Sequence, residues 1–285
     1  MSASIEIRPA IEFANHGGHA LRGKLYAPAG GAGRPACPVV IAVHGGGWQG
    51  GTPDNYQYLG PYLASHGIAL FAITYRLAKV GHKSYPDAVH DVRAAVQYVK
   101  GNAAELGIDP ARIALMGDSA GAHLATLVAL AGDHPTFAGG TASDPHGALS
   151  TKVKVAVGVY GVYDLYQQWL GDLSARPRDS ITEKFLGVSA IEDKQVYFES
   201  SPFSYISSKN NGTAFYLGWG TEDDIVDPAS QSEAFLLALK QAGYFVRTAI
   251  FPGAPHFWLA DAPDDVGGFS AGFAVRMLRF LQTRL

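Results

Sequence analysis

From Val39 onward, short apolar and β-branched runs alternate with stretches of helical periodicity, and that rhythm constrains the fold more than any other feature. "VVIAVHG" is almost continuously apolar, as a strand buried on both faces requires. "PDNYQYLGPYLASHG" then reads as a helix, "IALFAITY" as a strand and "YPDAVHDVRAAVQYVKGNAAELG" as a long helix. "RIALMG", "KVKVAVGVYG", "TAFYLGWG" and "FVRTAIFPG" continue the strands. "SAGAHLATLVALAG", "ASQSEAFLLALKQAG" and "VGGFSAGFAVRMLRFLQTRL" continue the helices. Strands joined through helices lie parallel, because such a crossover returns the chain in its original direction. The expected fold is α/β, with a mostly parallel central sheet and helices on both faces.

Two segments precede this series. "SIEIRPAIEF" and "HALRGKLYAP" flank "ANHGG" and predict an antiparallel hairpin. Between about 162 and 209 the rhythm breaks into aromatic, polar and Pro-containing segments. No repeat or linker divides the chain, so the expectation is a single domain over 1–285 with a cap insertion at about 162–209.

Composition narrows the function classes. Lys and Arg number 22 against 25 Asp and Glu, giving a net charge of −3, and no basic run appears. Nucleic acid and anionic membrane surfaces are therefore not expected partners. Cys37 is the lone cysteine, which excludes an internal disulfide and any multi-cysteine metal site. It reads as a small buried hydrophobe. The start "MSASIEIRPAIEF" lacks a basic segment and a long apolar core, and the apolar runs are too short to span a bilayer. A cytoplasmic protein is expected.

Gly117-Asp118-Ser119-Ala120-Gly121 fits G-x-S-x-G and lies between the strand "RIALM" and a long apolar helix. That is the setting of a nucleophile elbow, where a serine sits on a strained turn and its neighbours must be small. The helix that follows directs N–H groups at the serine and favours negative charge there. A plain N-cap serine, worth about 1 kcal/mol, is the alternative use of such a residue.

A nucleophilic serine needs oxyanion donors and a base. "VHGGGWQGG" directly follows an earlier buried strand and offers unencumbered main-chain donors. Gly46, Gly47 and Ala120 are the expected oxyanion hole. A phosphate-binding loop fits less well, since no G-K-[ST] follows.

"HGGGW", "YRL", "GIDPARIALMGDSAGAHLA", "GWGTEDDIVDPASQS" and "PGAPHFW" together resemble the α/β-hydrolase superfamily. The likeness is to its hormone-sensitive-lipase-like carboxylesterases and to bacterial feruloyl-esterase-like enzymes, from about residue 20 to the C-terminus. The resemblance implies the α/β-hydrolase fold and ester hydrolysis.

In that fold the triad runs Ser, then Asp or Glu, then His. Downstream of Ser119 stand His123, His134, His146 and His256. His123 lies one turn along the same helix and reads as a packing or hydrogen-bonding residue. His256, in a Gly/Pro turn after the last strand, matches the family position of the base. "LGWGTEDDIVD" offers Glu222, Asp223, Asp224 and Asp227. The family pattern lands on Asp223, while Asp227 is placed to cap the helix beginning near Pro228. Asp87, His90 and Asp91 read as a solvated helix face.

Trp48, Tyr160, Tyr163 and Trp258 are the expected substrate-pocket residues, with further rings in the insertion packing the cap onto the core. The expected activity is hydrolysis of short-chain or small aromatic acyl esters through an acyl-enzyme, with a small-molecule ester as partner. No metal ligand spacing appears, and no cofactor is expected. The oligomeric state stays open, a homodimer included. An arylformamidase-like amide hydrolase is the close alternative, since that enzyme shares an H-G-G-x-W loop. A ligand-binding receptor on the same scaffold, as in the gibberellin receptors, is a more distant one.

Overall fold

The computed structural model describes residues 4–30, 35–141 and 143–285. Its strands are β1 (Ile5–His16), β2 (His19–Pro28), β3 (Cys37–Val43), β4 (Ala69–Ile73), β5 (Ile108–Asp118), β6 (Val155–Val159), β7 (Ala214–Gly220) and β8 (Val246–Phe251). They form one sheet in the order β1-β2-β4-β3-β5-β6-β7-β8. The hairpin β1–β2 is antiparallel and pairs antiparallel with β4, and every later pairing is parallel. Gly17 and Gly18 both have positive φ, 58° and 84°. A two-residue turn with that backbone matches the twist of the strands it joins.

The helices are α1 (Leu59–Ser65), α2 (Asp87–Gly101), α3 (Ala103–Leu106), α4 (Ala120–Ala131), α5 (Pro135–Ala138), α6 (Leu165–Ala175), α7 (Ile181–Leu186), α8 (Lys194–Ser200), α9 (Ala234–Gln241) and α10 (Phe269–Arg284). The period of two along a strand sorts its side chains between two cores. Val39, Ile41, Val43 and Leu115 join residues of α2, α4 and α9 in one apolar cluster. Val40, Ala42, Ala114 and Met116 join α1 and α10 in the other. Each buried Val, Ile, Leu or Met side chain among these contributes roughly 1.5–3 kcal/mol. Because both faces are covered, the central strands needed apolar residues at every position, which is how they were legible. No helix among the described residues is long and apolar enough to cross a membrane.

Three expectations are refined. The helix over 53–67 is a 3-10 turn at Pro53–Tyr56 followed by α1. The long helix over 85–107 ends at Gly101, where a side chain would collide with the His146 ring at 2.3 Å, and resumes as α3. The helix over 229–243 opens with a π turn at Ala229–Glu233 before α9. A fourth expectation is corrected. Asp91 does not lie on a solvated face but is fully buried. Its carboxylate accepts from the Arg76 main-chain N–H at 2.7 Å and from Arg76 Nη2 at 2.7 Å, and lies 2.8 Å from His16 Nδ1. This hydrogen bond holds His16 above its ordinary imidazole value.

The insertion between β6 and β7 holds α6, α7 and α8. Asp164, Ser180 and Asp193 each accept main-chain N–H bonds at the start of one of them. The buried Asp172 carboxylate fixes α6 to α7 by accepting from Ser180 Oγ, Thr182 N and Thr182 Oγ1 at 2.7–3.0 Å.

Candidate active site

All the loops that matter leave the carboxyl ends of parallel strands, where an open α/β sheet concentrates its ligands. Ser119 follows β5, the loop 44–48 follows β3, Asp223 follows β7 and His256 follows β8.

Ser119 has φ 52° and ψ −122°, a backbone region costly for any residue with a side chain. Its surroundings impose it. A Cβ on Gly117 would sit 2.2 Å from the Gly121 carbonyl, and one on Gly121 would sit 2.0 Å from Val43 O. Only glycine permits this approach of β3, β5 and α4. The Ser119 N–H donates to Val159 O at 2.9 Å, and its carbonyl accepts from His123 N at 3.1 Å. The side chain makes no N-cap bond, so the plain capping use is not what the structure displays.

Ser119 Oγ lies 3.0 Å from His256 Nε2, and His256 Nδ1 lies 2.6 Å from Asp223 Oδ2. The other Asp223 oxygen accepts from Ile225 N at 3.0 Å and Val226 N at 2.9 Å. Those two N–H groups fix the carboxylate, which in turn assigns the ring proton to Nδ1 and leaves Nε2 to accept from the serine. The three residues are 5–8% exposed, so water screens their interactions little. The Tyr160 ring stands 4.5 Å from the His256 ring, and Phe257 stands 4.4 Å away on a positive φ of 65°. Asp224 is exposed, and Asp227 accepts from Ser230 N at 2.9 Å as the expected cap.

The glycine loop folds back on itself. Gly46 O accepts from Gln49 N and Gly50 N, both at 3.0 Å, with φ of 118° at Gly46 and 58° at Gly47. The N–H groups of Gly46 and Gly47 have no acceptor among the described residues. Ala120 opens α4, so its N–H is one of those a helix start leaves without an internal acceptor. His44 is stacked on Tyr75 at 4.5 Å, and burial lowers its proton affinity, keeping it neutral.

Two residues hold this loop in roles that the sequence did not announce. Asp118 Oδ1 accepts from Gly45 N at 3.1 Å and lies 2.8 Å from Tyr56 Oη. Burial pushes the Asp118 carboxyl above the usual range, with Tyr56 and Gly45 opposing. A charged residue directly after the apolar run 113–117 was the only signal for it. Trp48 is the second. Its Nε1 donates to His123 Nδ1 at 3.1 Å, and its ring stacks on Phe185 of α7 at 4.6 Å. His123 Nε2 donates to Ser200 O at 2.8 Å.

The four expected pocket residues differ in what they touch. Tyr160 touches His256, and Trp48 braces the glycine loop against the insertion. All four are 0–2% exposed, and Tyr163 is stacked at 4.1 Å on Phe235 of α9. Trp258 packs on Phe251 and Phe273, and its ring stands 5.2 Å from that of Tyr160. Residue type announced aromatic rings but not which of them touches the base.

The chain matches the BD-FAE family over residues 24–239. It is 34% identical over 223 residues to esterase LipQ of Mycobacterium tuberculosis, covering 77% of this chain and 50% of that protein. It is 32% identical over 206 residues to the probable carboxylic ester hydrolase LipM of the same organism, covering 72% and 45%. The chain thus spans about half the length of these curated relatives. Among solved structures, the native thermophilic esterase Est2 of Thermogutta terrifontis superposes with a TM-score of 0.75 at 24% identity, covering 99% of this chain and 92% of that one. Its butyrate-bound form gives 0.74 at 24% identity, covering 99% and 94%. These neighbours carry the same fold.

Proposed function

The chain belongs to the BD-FAE family and has the α/β-hydrolase fold, and on that premise we propose that it is a serine carboxylic ester hydrolase acting through an acyl-enzyme. The observation that carries the reading is the line of hydrogen bonds from Ser119 Oγ through His256 to Asp223, at 3.0 and 2.6 Å. Ser119 Oγ attacks the ester carbonyl carbon while His256 Nε2 takes its proton. The carbonyl oxygen becomes an oxyanion and is held by the N–H groups of Gly46, Gly47 and Ala120. The tetrahedral intermediate collapses, the C–O bond to the alcohol breaks, and His256 returns the proton to the leaving oxygen. Water then attacks the acyl-enzyme with the same proton relay, releasing the acid and restoring Ser119. Asp223 keeps the imidazole oriented and stabilises its cation in each half-reaction.

Short-chain and small aromatic acyl esters are the proposed substrates. The exposed Phe257 ring offers apolar surface beside the base, and a fold neighbour binds butyrate. The segment 162–209 acts as the cap of a single domain, a reading supported by the contacts of Phe185 and Ser200 with Trp48 and His123. A cytoplasmic site of action belongs to the same proposal. The test is a turnover panel of p-nitrophenyl acetate, butyrate and octanoate beside N-formylkynurenine. Turnover of the acetyl and butyryl esters is expected. Turnover of the formyl amide alone would replace the proposal with an arylformamidase-like one.

A further inference from the structure

The side of the molecule formed by β8 and α10 holds a charged groove that the ester chemistry does not use. β8 is an edge strand of the sheet. Arg247 projects from it, and Arg276, Arg279 and Arg284 project from α10, around a groove of about 730 Å³ also lined by Tyr216, Phe245 and Phe280. No acidic residue lines it. None of the four arginines makes an ion pair among the described residues, whereas Arg76, Arg112 and Arg176 each do. In a chain of net charge −3, this is a local concentration of uncompensated positive charge.

Three of the four guanidinium groups are oriented as well as clustered. Arg247 and Arg284 lie 4.5 and 3.4 Å from the centroid of Phe245, and Arg276 lies 5.5 Å from that of Phe251. Stacking occupies the face of a guanidinium and leaves its N–H edges free to donate. Beneath them the Tyr216 hydroxyl is buried and has no hydrogen-bond partner. Burial pushes this phenol up to about 12, against the pull of Arg276.

We propose that this groove binds a soluble anion carrying two or more phosphoryl groups. Planar forks of paired N–H donors match phosphate oxygens two at a time, and several forks around one groove require several such groups. The groove lies near the start of β8, while His256 follows the end of that strand, so the two sites are separate. A second copy of the chain is a poorer occupant. Edge-to-edge pairing of β8 would bring like-charged arginines from the two chains together.

Isothermal titration of the full chain with tripolyphosphate, pyrophosphate and orthophosphate tests the site, at about 0.1 M salt so that diffuse attraction is screened. Saturable binding of tripolyphosphate at one per chain is expected, tighter than pyrophosphate and much tighter than orthophosphate. The melting temperature should rise with ligand concentration, as binding to the folded state alone requires. Arg276→Ala and Arg279→Ala together should weaken binding by about tenfold or more. The same variant should hydrolyse p-nitrophenyl acetate at the wild-type rate, showing an intact fold. Lys79→Ala with Lys83→Ala, far from the groove, should bind normally. Absence of saturable binding would overturn the proposal, as would equal binding by the arginine variant. Binding to phosphatidylglycerol vesicles without binding of tripolyphosphate would also overturn it and assign the groove to a membrane surface. A dimer that the arginine substitutions dissociate would overturn it in favour of a second copy.

Discussion

Trp48 Nε1 donates a hydrogen bond to His123 Nδ1 across 3.1 Å, joining the glycine loop to the helix that follows the nucleophile. Because His123 Nε2 donates in turn to Ser200 O, one neutral ring links loop, helix and insertion. Burial lowers the His123 pKa to about 4. Protonation would replace the acceptor at Nδ1 with a donor facing the indole N–H.

Stability should therefore depend on pH through this residue. With the folded pKa depressed to about 4 and the unfolded value at 6.5, the unfolded chain takes up the proton first as pH falls. The stabilisation is complete above about 6.5 and is lost progressively down to about 4, amounting to roughly 3 kcal/mol. His123→Asn, which can still accept and donate, should lack that slope in urea unfolding across the range. An equal slope in variant and wild type would remove His123 from the account.

The acid should be separable from its neighbour. Asp223→Asn should lower kcat by roughly 10⁴, because the ring loses its fixed tautomer and the partner of its cation. Asp224→Asn, at an exposed side chain, should change kcat little. Steady-state kinetics on p-nitrophenyl acetate decides the ranking, and the reverse order would move the acid by one residue.

Two adjacent glycines should respond very differently. A Cβ on Gly46 would lie 2.4 Å from Gly50 O, whereas one on Gly47 meets nothing nearer than 3.7 Å. Gly46→Ala should distort the donor loop and cost roughly 10²–10³ in kcat, as losing an oxyanion donor does. Gly47→Ala keeps its space and bears only the strain of a left-handed backbone, roughly 1–2 kcal/mol. Paired kcat and stability measurements test the contrast.

Asp118 should act through Gly45 and Tyr56. Asp118→Ala strands the Gly45 N–H in the interior, while Tyr56 Oη keeps Val43 O as an acceptor at 2.8 Å, and should cost roughly 1–3 kcal/mol. Asp118→Asn retains an acceptor and removes a buried charge, so it should unfold at denaturant concentrations near or above wild type at neutral pH. The sign follows from the raised folded pKa. The folded state holds this proton more tightly, so the group's contribution falls as pH rises from its unfolded value of 3.8 through the raised one. The Asn variant should lack that fall.

Much of this was written locally in the chain. The parallel strands were legible because burial on both faces demands apolar residues throughout, and Gly117 and Gly121 because nothing larger fits where three elements meet. The loop at Gly46 was legible for the same reason. Asp223 was one of four acids, and the family pattern selected it where spacing alone did not. The contacts of Trp48 with Phe185 and His123 were hidden because Phe185 lies in an insertion without regular periodicity. Asp91 looked solvated because its partners, Arg76 and His16, are distant in sequence and meet it only through the fold. Aromatic residues were recognisable as a group, but packing alone decided that Tyr160 meets the His256 ring while Tyr163 stacks on Phe235.

The most direct measurement is peptide mapping by mass spectrometry after reaction with a fluorophosphonate. One adduct per chain, on the peptide containing Ser119, and its loss in His256→Ala are predicted. Labelling at another residue, or full labelling without the imidazole of His256, would contradict the assignment of Ser119 as an activated nucleophile.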